Sequence, residues 1–217
     1  MSTDAVLHRR GNVFILSAPS GTGKDTVIAR ALEGQDSIRR CVTVTTRPPA
    51  AGEVDAVNYF FRTTAEFERL KEQGELLEWA EVHKNFYGTP RWWVQEQVDR
   101  GVDVVLVIDI QGARQVRKRL EGVTTIFLAP PSLAELEQRI RTRARDDEES
   151  IRTRLHNARV ELQCLPEYDY LIINDDLDQA VAELRAIFTA ERLRLRPWSP
   201  ITNIVHALLD GEPAAQH

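Results

Sequence analysis

Between Ser17 and Thr26 the chain reads S-A-P-S-G-T-G-K-D-T, a grouping that could hold a row of phosphates. Glycines at 21 and 23 let backbone N–H groups point inward with no side chain in the way, and Lys24 supplies a mobile ammonium for the outer phosphates. Such a loop needs a buried strand turning straight into a helix, whose N-terminus adds partial positive charge. The flanks have that form, with Val13-Phe14-Ile15-Leu16 before it and Val27 to Leu32 after it. A glycine turn that merely joined core elements would have no need of Lys24. Against the pattern G-x-x-x-x-G-K-[ST], Ala18 stands where the first glycine is expected and Asp25 where a metal-ligating hydroxyl is expected. A carboxylate can still offer an oxygen to a hard cation, so Asp25 remains a candidate magnesium ligand. Thr26 lies about 100° further round the helix and is a poor substitute.

The 217 residues suit one sizeable core with small inserted lobes, and 42% hydrophobic with 28% charged residues is the balance of a soluble globular chain. No apolar run approaches the roughly 18 residues of a membrane span. A net charge of −5 argues against a general nucleic-acid binder. Cys41 and Cys164 are far apart and outside any C-x-x-C pattern, so free thiols in a reducing, cytoplasmic setting are expected. The start at Met1-Ser2-Thr3-Asp4 has neither signal-peptide nor transit-peptide character.

Strands are expected at 13–16, 41–45, 58–61, 76–82, 104–108, 125–128 and 170–174, with Pro48-Pro49 closing the second. Helices are expected after the phosphate loop, from Thr63 to about Gly74, from Pro90 to about Gly101, from Gln111 to Leu120, as a pair within about 137–160, and from Asp176 to about Leu195. Thr63-x-x-Glu66, Ser132-x-x-Glu135 and Asp176-x-x-Gln179 are the N-terminal capping signatures. Val104 to Ile108 is apolar throughout, as in a strand buried on both faces, and Asp109 sits at its carboxyl end, where open α/β sheets place ligands. The alternation predicts an α/β fold with a doubly wound parallel sheet.

Several further stretches, in order along nearly the whole chain, resemble the guanylate kinase family. They are Thr43-x-Thr45-Thr46-Arg47-Pro48, Gly52-Glu53-Val54-Asp55, Glu78-Trp79-Ala80-Glu81-Val82, Asn85-x-Tyr87-Gly88-Thr89, Ile108-Asp109-x-Gln111-Gly112-Ala113 and Tyr168-Asp169-Tyr170-x-Ile172-x-Asn174-Asp175-Asp176. The resemblance implies a P-loop kinase fold transferring the γ-phosphoryl group of ATP to GMP. It implies a core of 10–42, 93–132 and 166–195, a GMP-binding lobe at 43–92, a lid at 133–165 and, beyond the core, a helical tail at 196–217. Ala18, Pro19, Ser20, Gly21, Thr22, Gly23, Lys24, Asp25, Thr26 and Asn174 would then meet ATP, although capping is an equal reading of Asn174. Thr43, Arg47, Tyr59, Glu78, Tyr87, Thr89 and Asp109 would bind GMP. Arg47 and the two tyrosines would grip its phosphate, Glu78 and Asp109 the guanine donors, and Thr89 the O6 acceptor. Lys24 with Arg139, Arg143 and Arg154 would be catalytic, and Asp25 with Asp109 would lie at Mg2+.

Arg141 and Arg145 read better as solvated helix charges, and His83 as a surface residue. In the family a second arginine follows the one matching Arg47 by three residues; here that position is Ala50. Two other readings stay open: a peptide-binding module that has lost catalysis, and a kinase of phosphorylated ribose with a similar G-K-D-T loop. ATP and GMP are the expected partners, with no nucleic acid or membrane, and a homo-oligomer is left open.

Overall fold

The computed structural model describes residues 9–142 and 147–195. Arg143, Arg145 and the tail after 195 lie outside the described residues. The larger sheet holds β1 (Val13–Ser17), β2 (Ile38–Arg40), β7 (Asp103–Val107), β8 (Thr124–Ala129) and β9 (Tyr170–Ile173) in the order β2-β7-β1-β8-β9. All its pairings are parallel. Residues of β1 alternate between the two faces. Phe14 and Leu16 pack with Val27, Ile28, Leu184 and Phe188, on α1 (Lys24–Leu32) and α7 (Leu177–Leu193). Val13 and Ile15 pack with Val94, Val98, Ala113 and Val116, on α3 (Arg91–Asp99) and α4 (Ile110–Arg119). Two helices on each face make the sheet doubly wound, and its fully apolar central strands follow from burial on both sides.

The second sheet has four strands, β4-β3-β6-β5, from β3 (Thr43–Thr45), β4 (Tyr59–Phe61), β5 (Leu76–Val82) and β6 (Asn85–Pro90), backed by α2 (Thr64–Glu72). Its inner face is small and aromatic, with Val44, Phe60, Phe67, Trp79 and Phe86 in contact. Thr63 and Glu66 cap α2 reciprocally, as their spacing required. Asp176 accepts from Gln179 N–H at 2.8 Å to start α7. Ser132 accepts from Glu135 N–H at 3.0 Å before α5 (Leu133–Thr142), which packs on α6 (Glu148–Leu162).

Two elements depart from the sequence reading. The strand expected over 41–45 is shorter, β3 alone, pairing with β4 and β6 in the small sheet, and β2, which pairs with β7 in the large one, was not expected. Arg39 and Arg40 are exposed on an edge strand, so β2 carries no apolar signal beyond Ile38. β6 was not expected as a strand because Gly88 and Pro90 interrupt its propensity; both are tolerated here, Gly88 where a Cβ would come within 3.1 Å of the Glu78 carbonyl. Among the described residues no helix is long and apolar enough to cross a membrane.

Candidate active site

The phosphate loop leaves β1 with Gly21 at φ +93° and Gly23 at φ +94°, conformations that favour glycine. Gly23 is also the residue before α1, which has no side-chain cap; the Thr26 N–H donates back to the Gly23 carbonyl at 3.0 Å. Lys24 follows, half-buried; burial draws its pKa below the ordinary lysine value, opposed by Asp25, Asp109 and Glu161. Asp25 and Thr26 are exposed in the first turn.

Asn174 holds this loop from below. Its buried side-chain amide donates to the Thr22 carbonyl at 2.6 Å, and a Cβ on Gly23 would stand 2.8 Å from that same nitrogen. Asn174 caps no helix, since Asp176 begins α7; its contacts make it a support for the loop, and it also lines the cavity beside it. Asn174→Ala leaves the Thr22 carbonyl without its partner in a residue that is fully buried, a loss of about 1–3 kcal/mol. We expect a lower melting temperature and about tenfold weaker ATP binding with GMP binding retained; unchanged ATP affinity would show that the loop keeps its shape unaided.

A cavity of about 430 Å³ opens beside the loop, lined by Gly21, Thr26, Glu135, Arg139 and Asn174 among others, within the size range of nucleotide pockets. Arg139 is tied down there, donating to the Asn174 carbonyl at 3.0 Å and to Glu135 at 3.0 Å. It thus lines the cavity, held in place by both partners. Arg154 is half-buried on α6. Arg141 pairs with Glu137 and Glu148 across the exposed side of the helices, in keeping with a solvated charge.

Strand register assembles the other half of the site. Thr43 lies opposite Tyr59, Thr45 opposite Tyr87, and Glu78 opposite Thr89. Because side chains alternate and directly opposed residues share a face, Thr43, Tyr59, Tyr87, Thr89 and Glu78 all project from one face of the small sheet. The aromatic core of Val44, Phe60 and Phe86 takes the other. Arg47 overhangs this face, its guanidinium 5.3 Å from the Tyr59 ring centroid. Both Glu53 oxygens accept from Arg47 Nη2, at 2.8 and 2.9 Å. That bond holds the Glu53 carboxyl below its usual range. The sequence matches Glu53 to a motif but carries no sign that it pairs with Arg47.

Glu78 is 6% exposed and Thr89 1%, and the Thr89 hydroxyl donates to Glu78 Oε1 at 2.6 Å. The hydroxyl expected at a guanine O6 is thus joined to the carboxylate expected at the guanine donors. Burial, followed by the charge of Asp109, pushes the Glu78 carboxyl up to about 7 against the pull of Thr89. Asp109 caps α4, accepting from Gly112 N–H at 2.7 Å. Gly112 is what lets the two acids approach: a Cβ there would lie 3.1 Å from Glu78 Oε2 and 3.4 Å from Asp109 Oδ1. Gln115, one turn on, pins the β5 edge by exchanging hydrogen bonds with the Trp79 backbone at 3.3 and 3.1 Å. No sequence signal separated Gln115 from an ordinary helix-surface residue. Past Asp109 a cavity of about 290 Å³ runs between α4 and α6, with Glu161 on its wall.

The guanylate kinase family model matches residues 10–191. The chain belongs to the guanylate kinase family. It is 46% identical over 205 residues to the guanylate kinase of Mesorhizobium japonicum, covering 94% of each chain. It is 45% identical over 206 residues to that of Rhizobium meliloti, again covering 94% of each. The crystal structure of guanylate kinase from Anaplasma phagocytophilum superposes with a TM-score of 0.71 at 34% identity, covering 93% of this chain and 97% of that one. Membership of the guanylate kinase family accounts for the P-loop on a parallel sheet.

Proposed function

We propose that the chain transfers the γ-phosphoryl group of ATP to GMP, giving ADP and GDP. The observation that carries this reading is the join between the two halves. Gly112 brings Glu78, on the face that bears Tyr59, Tyr87 and Thr89, beside Asp109, whose charge is felt at Lys24 of the phosphate loop. One substrate on each half would meet across that join.

GMP would lie on the small sheet, its phosphate on Arg47, Tyr59 and Tyr87 and its N1–H and exocyclic amine on Glu78 and Asp109, with Thr43 at the start of β3. Adenine has no donor at those two positions, so the acids would reject it. ATP would lie along Ala18 to Thr26, with its base toward the 430 Å³ cavity. Lys24 holds the β- and γ-phosphates against the backbone N–H groups of α1, and the lid arginines Arg139, Arg143 and Arg154 approach only once both nucleotides are in place, keeping water from the γ-phosphate. The donor set suits a magnesium ion carried in on ATP, which takes one or two carboxylates and otherwise phosphate and water. Asp25 is exposed in the first turn of α1 with one oxygen 3.1 Å from the Arg40 guanidinium, and Asp109 spends one oxygen on its cap. When bound there, magnesium would neutralise charge developing on the phosphates. The domain limits given above, with 43–92 as GMP lobe and 133–165 as lid, belong to this reading, as does a cytoplasmic setting for the unpaired Cys41 and Cys164.

Incubation with Mg-ATP and GMP, AMP or ribose phosphate tests it. ADP should be released with GMP and not with the others. Release with none would leave the peptide-binding module, and release with ribose phosphate the ribose kinase.

Ala50 leaves the GMP phosphate one cation short. Of the neighbours that could compensate, Arg62, Lys84 and Arg91, two are committed elsewhere: Arg62 pairs with Asp55 at 3.4 Å, and Arg91 donates to the Gly74 carbonyl at 3.2 Å. Ala50→Arg should therefore tighten GMP about tenfold by adding one charge-assisted contact, read by calorimetry. Unaltered GMP affinity in a folded variant would mean that another cation, such as Lys84, already serves.

A further inference from the structure

Arg40 has no part in the assignments above, yet its guanidinium lies 3.1 Å from Asp25 Oδ1. It is the last residue of β2, at the edge of the large sheet. Its charge is also felt at Lys24, whose pKa it helps to lower. Lys24, Asp25 and Arg40 therefore form a cation, anion, cation series at the mouth of the phosphate loop. The pair is open to solvent, with the arginine side chain 49% and the aspartate 77% exposed, and ion pairs that exposed contribute little to stability. α1 is fixed instead by Val27, Ile28 and Ala31 in the core. What the pair does change is the charge met by a polyphosphate arriving at the helix N-terminus.

We propose that Arg40 is a further phosphate-binding residue of the nucleotide site, held on Asp25 until nucleotide arrives, so that the two together replace the loop hydroxyl missing at position 25. This rests on the ATP and GMP reading above. A polyphosphate offers the guanidinium more charge and more acceptor oxygens than one carboxylate does, in a geometry that a planar fork matches. Asp25, drawn toward the cation that travels with the nucleotide, releases the arginine as it turns. Without that cation Asp25 keeps competing for Arg40, and nucleotide binding is weak.

The test is calorimetric titration of ADP in EDTA into the wild-type protein, Asp25→Ser, Arg40→Ala and the double variant, with GMP titrated in parallel. Asp25→Ser should tighten metal-free ADP by about tenfold, and adding Arg40→Ala to it should lose about tenfold, shrinking at high salt. Arg40→Gln, which keeps much of the stem, should lose as much as Arg40→Ala, and GMP affinity should hold throughout. Equal ADP affinity in Asp25→Ser and the double variant would overturn the proposal, reducing Arg40 to a counter-charge for Asp25. An equal fall in GMP affinity would overturn it too, as a general disturbance. GMP phosphorylation by the wild-type protein is measured alongside: its absence counts against the parent reading, whereas unmoved ADP affinities count against Arg40 alone.

Discussion

Lys24→Met should cut turnover by roughly a hundred- to a thousandfold while leaving GMP binding within about twofold. Phosphoryl transfer gains most of its rate from fixed charge around the migrating group, and Lys24 is the one cation built into the loop itself. It stands half-buried between the acids Asp25, Asp109 and Glu161, with burial lowering its pKa. Phosphate oxygens favour the charged form and oppose that lowering. Methionine keeps most of the stem's packing and removes the ammonium, so the variant should melt no lower than the parent. Initial rates at saturating GMP, with calorimetry for GMP alone, decide it. Turnover within tenfold of the parent would mean that the loop backbone and the lid arginines suffice.

Glu78→Gln should weaken GMP by about tenfold or more, because a buried charged acceptor for guanine donors is lost, at about 1.5–3 kcal/mol. ATP affinity should not move, and Gln can still accept from Thr89. The pH profile is the sharper measurement. With the carboxyl pushed up to about 7, much of the parent protein is protonated below neutrality, and only the ionised form offers guanine a charged acceptor. GMP affinity should rise with pH to about 7 and then level, while that of the variant stays flat. Stability has the opposite sign. The folded pKa lies above the ordinary 4.5, so this group's contribution is full below about pH 4.5 and is lost as pH rises through about 7. The parent should therefore lose more of its melting temperature than the variant between pH 5 and pH 8. Parallel GMP profiles would remove Glu78 from base recognition.

Much of this was legible in the sequence because it is written in local chemistry. Glycines ahead of a lysine, capping pairs and apolar runs each act over a few residues, and the loop, the caps of α2, α5 and α7 and the central strands β1, β7 and β8 follow from them. What escaped depends on neighbours distant in sequence. β2 and β6 are strands because of the strands they pair with, not by propensity. Gln115 matters through Trp79, 36 residues away. Glu53 and Arg40 are charges in polar stretches until the fold sets them beside Arg47 and Asp25, and Asn174 could not be seen to hold Thr22, 152 residues before it.

The shared face of the small sheet carries a lesson for anyone rebuilding this protein. Tyr87 and Thr89 face the site because they sit two residues apart on β6, opposite partners fixed by register. Lengthening β6 by one residue between them would send one of the pair into the aromatic core without altering any amino acid. Insertions are better accommodated at His83 and Lys84, exposed at φ +50° and +66° in the turn joining β5 to β6. Residue identity on this lobe is open to exploration position by position, whereas strand length is a fixed quantity, and libraries for altered base preference should vary the first and hold the second.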